Sequence, residues 1–179
     1  MFKPRTVSSD MLGFTLLELV IVITLLAILS VIALPRMSNN YDDAHHSSVL
    51  ATGGALASAV MLARTQWVAI GGNGPVDSIK GFGRNDVATT EQGWPSDAQQ
   101  TTASSHSPSL SGDVLRCIRI WDALLSTNGI TVSSVSGEGV NYLVTTNADS
   151  KCIYTYQQGA SNSRIEYDLS SGAVLTILK

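Results

Sequence analysis

The sequence predicts an α+β protein: one long, bent N-terminal helix packed under an antiparallel β-sheet of about four strands, with a variable loop region. Three observations carry that expectation. Phe14 to Leu34 is an overwhelmingly apolar run of 21 residues. An amphipathic helical pattern then continues to Ile70, and the last third of the chain holds four short alternating segments separated by turn residues. A period near 3.6 followed by a period of 2 marks a helix followed by a sheet.

The first element is long enough to cross a bilayer, which takes about 20 apolar residues at about 1.5 Å each. It carries one acid, Glu18, near its start. A carboxylate in hydrocarbon costs about 2.5–3.5 kcal/mol on insertion scales and asks for a functional reason. A secretory signal has an apolar core of only about 7–15 residues with a small-residue cleavage site after it. Here the small residue, Gly13, precedes the run. A plain single-pass anchor explains the length and leaves Glu18 unexplained.

Gly13-Phe14-Thr15-Leu16-Leu17-Glu18 resembles the cleavage motif of type IV prepilins and type II secretion pseudopilins: a short basic leader ending in Gly, then Phe, then an acid at the fifth mature position. Pro35 falls where type IV pilins carry a helix-softening proline. The resemblance implies a type IV pilin-like fold and a processing route. Prepilin peptidase would cut between Gly13 and Phe14 and N-methylate Phe14. Glycine suits the first position because it offers no side chain to a tight protease pocket. In the leader, Lys3 and Arg5 outweigh Asp10, which favours a cytoplasmic N-terminus. The expected location is the inner membrane, single-pass, and then an extracellular pilus. The implied partners are other pilin subunits in a filament, the peptidase, the pilus assembly machinery of the inner membrane, and the membrane itself before assembly.

Within that route Glu18 acquires an assembly role. In a low-dielectric setting a carboxylate seeks a cation, and the nearest is the Phe14 amine of a neighbouring subunit. Docking into the filament would relieve the cost of an unpaired acid. The competing reading is a tolerated acid one turn from the membrane surface.

Four segments follow: a leader at 1–13, a transmembrane or filament-core half at 14–35, an amphipathic half at 36–70, and an exported head at 71–179. Val49, Gly53, Leu56, Val60, Ala63, Trp67 and Ile70 recur every three or four residues and mark one helix face. Pro35 removes a backbone donor and predicts a kink; Gly53-Gly54 offers a second soft point. The glycine-rich stretch from Gly71 to Pro75 ends the helix. Residues 71–113 read mainly as loop, with a polar, mobile tract from Asp97 to Ser111. Val114 to Ser126 suits a short amphipathic helix through Ile118, Trp121, Leu124 and Leu125, and Ile130 to Val135 a possible strand. The four C-terminal segments are Val140 to Thr146, Cys152 to Gln157, Arg164 to Leu169 and Ala173 to Leu178.

An exported domain meets an oxidising compartment, so Cys117 and Cys152 are expected to form a disulfide. It would enclose 34 residues, a loop worth roughly 3–4 kcal/mol on the chain-entropy model. No metal, cofactor or catalytic constellation is expected. Two cysteines and three scattered histidines (His45, His46, His106) lack zinc spacing. Asp42, Asp43, His45 and His46 read either as ligands or a pH-sensitive contact, or as a solvated helix face. Asp77, Asp86, Asp97 and Asp113 read either as calcium ligands or as turn formers. Gly71 to Gly74 lacks the lysine of a phosphate loop, and Trp67, Trp94 and Trp121 fit packing better than a sugar platform.

Charged residues are 14% of the chain and its net charge is −3. Loss of Lys3, Arg5 and Asp10 with the leader takes it to −4, so there is no strong nucleic-acid signal. A finer resemblance runs through Tyr41 to Gly71, Gly93-Trp94-Pro95, Cys117 to Leu125 and Cys152 to Gln157. These segments are similar to mannose-sensitive haemagglutinin (MSHA) pilins, which implies a surface fibre used in attachment. The alternatives are a type II secretion pseudopilin and, from another class, a membrane-tethered periplasmic binding protein or enzyme.

Overall fold

Helix α1 runs from Leu16–Ala69, 54 residues in all, in a computed structural model that describes residues 13–98, 113–125, 129–147, 150–158 and 162–179. The leader residues 1–12, the tract 99–112 with His106, and Asn128 lie outside the described residues. The chain divides into two compact units, Met1–Tyr41 and Asp42–Lys179.

In the first unit the stretch Leu16–Ala33 is apolar on every face apart from Glu18, Thr24 and Ser30. The window Leu16–Ala33 is long and apolar enough to cross a membrane, and none of it is buried. Its two mid-helix hydroxyls bond back to the helix: Thr24 Oγ1 donates to the Ile21 carbonyl at 2.8 Å and Ser30 Oγ to the Leu26 carbonyl at 2.7 Å. Hydroxyls satisfied in this way leave little polar surface, which hydrocarbon surroundings demand. Helical structure continues through Pro35, and the side chains of residues 34–40 lie outside the described set.

In the second unit, Val49, Thr52, Gly53, Leu56, Val60, Ala63 and Trp67 form the buried face of α1. Ile70, expected on that face, is instead 44% exposed, because the helix has already ended. The Gly71 N–H donates to the Val68 carbonyl and the Gly72 N–H to the Trp67 carbonyl. Gly71 itself takes φ 75°. That pairing is a Schellman cap, which a left-handed glycine permits.

The sheet has five strands in the order β3-β4-β5-β6-β7: β3 (Val132–Ser133), β4 (Tyr142–Thr146), β5 (Lys151–Tyr156), β6 (Arg164–Asp168) and β7 (Val174–Ile177). β4 to β7 are the expected antiparallel meander. β3 adds a fifth strand at the edge and pairs parallel to β4, a non-local pairing that periodicity cannot reveal. Alternation places Tyr142 and Val144, then Cys152, Tyr154 and Tyr156, then Ile165 and Tyr167 on the core side. They pack with Val49, Leu56 and Val60 of α1 and with Ile120 and Trp121 of α2 (Val114–Leu125). Trp121 sits between Tyr142 and Tyr154, with ring centroids 5.1 and 4.6 Å away.

The stretch 71–113 is not all loop. β1 (Val87–Thr89) and β2 (Pro95–Ala98) form a small antiparallel sheet with an irregular register between Ala88 and Thr89. Strands of three and four residues, the second opening on Pro95, show no alternation to read. Asp97, expected at the start of a mobile tract, lies in β2 and is gripped by α2: Arg119 donates to its two carboxylate oxygens at 2.8 and 2.9 Å. The Cys117–Cys152 disulfide, with Cα atoms 5.5 Å apart, joins α2 to β5.

Gly53, expected as a soft point, has a packing role as well: the Thr176 side chain of β7 occupies the place a Cβ would take, whereas among the described residues nothing lies within 4 Å of that place at Gly54.

Candidate processing and assembly site

Gly13 and Phe14 stand just before helix α1. Among the described residues nothing lies within 4 Å of where a Cβ on Gly13 would be, and Phe14 is 79% exposed. The helix begins where Thr15 caps it: its Oγ1 accepts the Glu18 N–H at 3.2 Å, and its carbonyl accepts the Leu19 N–H at 3.2 Å. Threonine is a favoured N-cap because its hydroxyl satisfies one of the four orphan donors of a helix start. Glu18 therefore sits in the first turn, at the positive end of the helix dipole. The Thr15-x-x-Glu18 spacing is a capping-box signature legible in the sequence. An exposed peptide outside the helix, a capped helix start and an acid in the first turn thus occupy six consecutive positions, Gly13 to Glu18, at the start of a bilayer-length apolar helix.

The other candidate residues fall elsewhere. Asp42 and Asp43 are exposed, whereas His45 and His46 are half-buried. His45 Nδ1 is 2.9 Å from the Tyr156 hydroxyl, so this end of the helix face packs on β5 rather than being wholly solvated. Asp86 pairs with Arg84 at 3.0 Å. Asp113 caps α2 by accepting the Leu115 N–H at 2.9 Å, and Asp97 serves Arg119. Among the described residues no three His, Cys, Asp or Glu side chains gather in metal-binding geometry. Trp121 and Trp67 are buried; Trp94 is half-buried beneath the Arg64 guanidinium, 4.2 Å from its ring centroid. A depression of about 210 Å³ is lined by Ala51, Thr52, Ala55, Trp121, Leu125 and Ile130, none of which ionises.

The roles of Asp97 and Gly53 escape sequence reasoning. Asp97 and Arg119 are 22 residues apart, and Gly53 meets a threonine far along the chain. Neither leaves a local signal.

Residues 10–34 match the prokaryotic N-terminal methylation motif. The methylation motif thus spans Gly13, Phe14, Glu18 and nearly all of the apolar helix half. The chain is also 46% identical over 54 residues to the type IV narrow pilus major component PilA5 of Thermus thermophilus. That match covers 30% of this chain and 47% of the relative, so the chain spans about half the length of the curated relative it matches. No solved structure matches it. The two matches support a type IV pilin family, and the α+β arrangement described above is type IV pilin-like. The motif and its apolar helix fit a membrane-anchored pilin.

Proposed function

We propose that this chain is a structural subunit of a type IV pilus, of the MSHA-like kind used in attachment. The observation that carries the reading is the exposed Gly13–Phe14 peptide placed directly before a capped, bilayer-length helix with Glu18 in its first turn. In this reading residues 1–13 are a leader removed by prepilin peptidase, which also methylates the Phe14 amine. Residues 14–35 hold the chain in the inner membrane, N-terminus cytoplasmic, and later lie in the filament core. Pro35 lets the helix bend, residues 36–70 pack under the head, and residues 71–179 face outward. Glu18 pairs with the Phe14 amine of a neighbouring subunit, so that assembly neutralises a charge that hydrocarbon disfavours. The MSHA-like assignment draws on the residue similarities in Tyr41 to Gly71 and around the two cysteines.

Top-down mass spectrometry of the protein from its own cells tests the reading. The expected product begins at N-methylated Phe14, is absent from peptidase-deficient cells, and is found in sheared surface fibres labelled along their length by antibody to the head. An uncleaved chain sinks the proposal. A cleaved chain found only where a type II secretion system is present, with no surface fibre, identifies a pseudopilus subunit instead.

A further inference from the structure

We propose that Thr15 is a positioning residue for maturation: its hydroxyl holds the Gly13–Phe14 peptide outside helix α1, so that the peptidase meets an extended bond. This rests on the reading of Gly13–Phe14 as the scissile peptide. Hydrolysis there adds water across the Gly13 C–N bond, leaving a carboxylate on Gly13 and an ammonium on Phe14. The attacked atom is the Gly13 carbonyl carbon, and it must be free of helical hydrogen bonding.

The geometry shows what keeps it free. In a helix begun one residue earlier, the Glu18 N–H would donate to the Phe14 carbonyl; one residue earlier again, the Leu17 N–H would donate to the Gly13 carbonyl itself. Thr15 Oγ1 takes the first of these donors, the Glu18 N–H, at 3.2 Å. The helical ladder accordingly opens with Leu19 N–H on the Thr15 carbonyl. Little in the preceding sequence would stop the helix otherwise. Phe14, Leu12 and Met11 are all compatible with it, and Gly13 only weakens it. Phe14 is 79% exposed, and no described residue lies within 4 Å of where a Cβ on Gly13 would be, so the two form an accessible segment before the helix. Thr15 acts before cleavage, and its role is separate from that of the Glu18 carboxylate in assembly.

The test uses the full-length chain in detergent micelles with prepilin peptidase, following conversion by intact mass. Thr15→Val keeps the shape and removes the acceptor; Thr15→Ser and Thr15→Asn keep a capping oxygen. The valine variant is expected to mature on the order of five-fold more slowly, and its Glu18 amide to exchange faster by a similar factor, as loss of a cap implies. Serine and asparagine are expected to stay within about two-fold of wild type in both readouts. Equal rates for valine and wild type would overturn the proposal. So would serine and asparagine maturing as slowly as valine, which would assign the side chain to contact with the enzyme. A wild-type chain that is not cut after Gly13 overturns the maturation reading itself, whereas the exchange of Glu18 reports on the cap independently.

Discussion

The Thr176 side chain fills the space that a Cβ on Gly53 would need, so β7 lies directly against the backbone of α1. Thr176 pairs across the sheet with Ile165, which pairs in turn with Tyr154 of the core. The whole row is therefore seated by one glycine.

Gly53→Ala is expected to destabilise the protein by about 1–3 kcal/mol, the usual cost of overpacking. Gly54→Ala, where no described residue lies within 4 Å of the added Cβ, is expected to stabilise it by up to about 1 kcal/mol through helix propensity. Denaturant unfolding of both variants in the same detergent checks the contrast. Equal signs would mean that the close approach is absent.

Asp97 ties the small β1–β2 sheet to α2. Its carboxylate meets Arg119 in a two-pronged contact and lies 3.7 Å from Arg116, which is 7% exposed. Asp97→Ala would leave both guanidinium groups without this acid. The expected cost is about 2–3 kcal/mol, below that of a fully buried pair because Arg119 remains a third exposed. A double-mutant cycle with Arg119→Ala measures the shared part.

Two core tyrosines are expected to weaken the fold at alkaline pH. Burial raises the Tyr154 phenol, with the Asp122 charge adding to it; burial also raises Tyr167, reinforced by Tyr154 and Asp168. Both hydroxyls donate to backbone carbonyls, of Cys117 and Pro95 respectively. The folded state keeps these protons where the unfolded chain, with phenols near about 10, releases them. Their contribution is thus complete below about pH 10 and is lost as pH rises above it. Tyr154→Phe is expected to cost about 1 kcal/mol at neutral pH and to make the alkaline decline shallower. Unfolding curves taken across that range read both effects.

Glu18→Ala is expected to leave membrane insertion intact, since it removes the one acid from the apolar run. It is expected to lower incorporation into filaments when coexpressed with wild type, as the pairing proposal requires. Quantitative mass spectrometry of sheared fibres against membranes measures the ratio. Equal incorporation would set the pairing aside.

Local pattern made the helices and most of the sheet legible. The 3.6-residue recurrence from Val49 to Trp67 and the alternation in β4 to β7 are properties of neighbouring residues, so they survive in one dimension. The motif that nominates Gly13, Phe14 and Glu18 is legible for the same reason, since it lies within six consecutive residues; the Thr15 cap came from the structure. Ile70 continues the periodicity yet lies off the buried face, because the Gly71 cap has already ended the helix.

What only the tertiary structure decided are pairings between distant segments. The β1–β2 sheet, the parallel edge strand β3, the grip of Arg119 on Asp97 and the seating of Thr176 on Gly53 all join residues whose own surroundings carry no hint of the partner. Such contacts form because the buried faces of α1, α2 and the sheet must close over one core, and closure brings together whatever polar and small residues border it. The sequence by itself determined the apolar helix and its acid, because sterics and hydrogen bonding within one turn suffice for them. Packing decided which glycine is indispensable and which aspartate holds the head together.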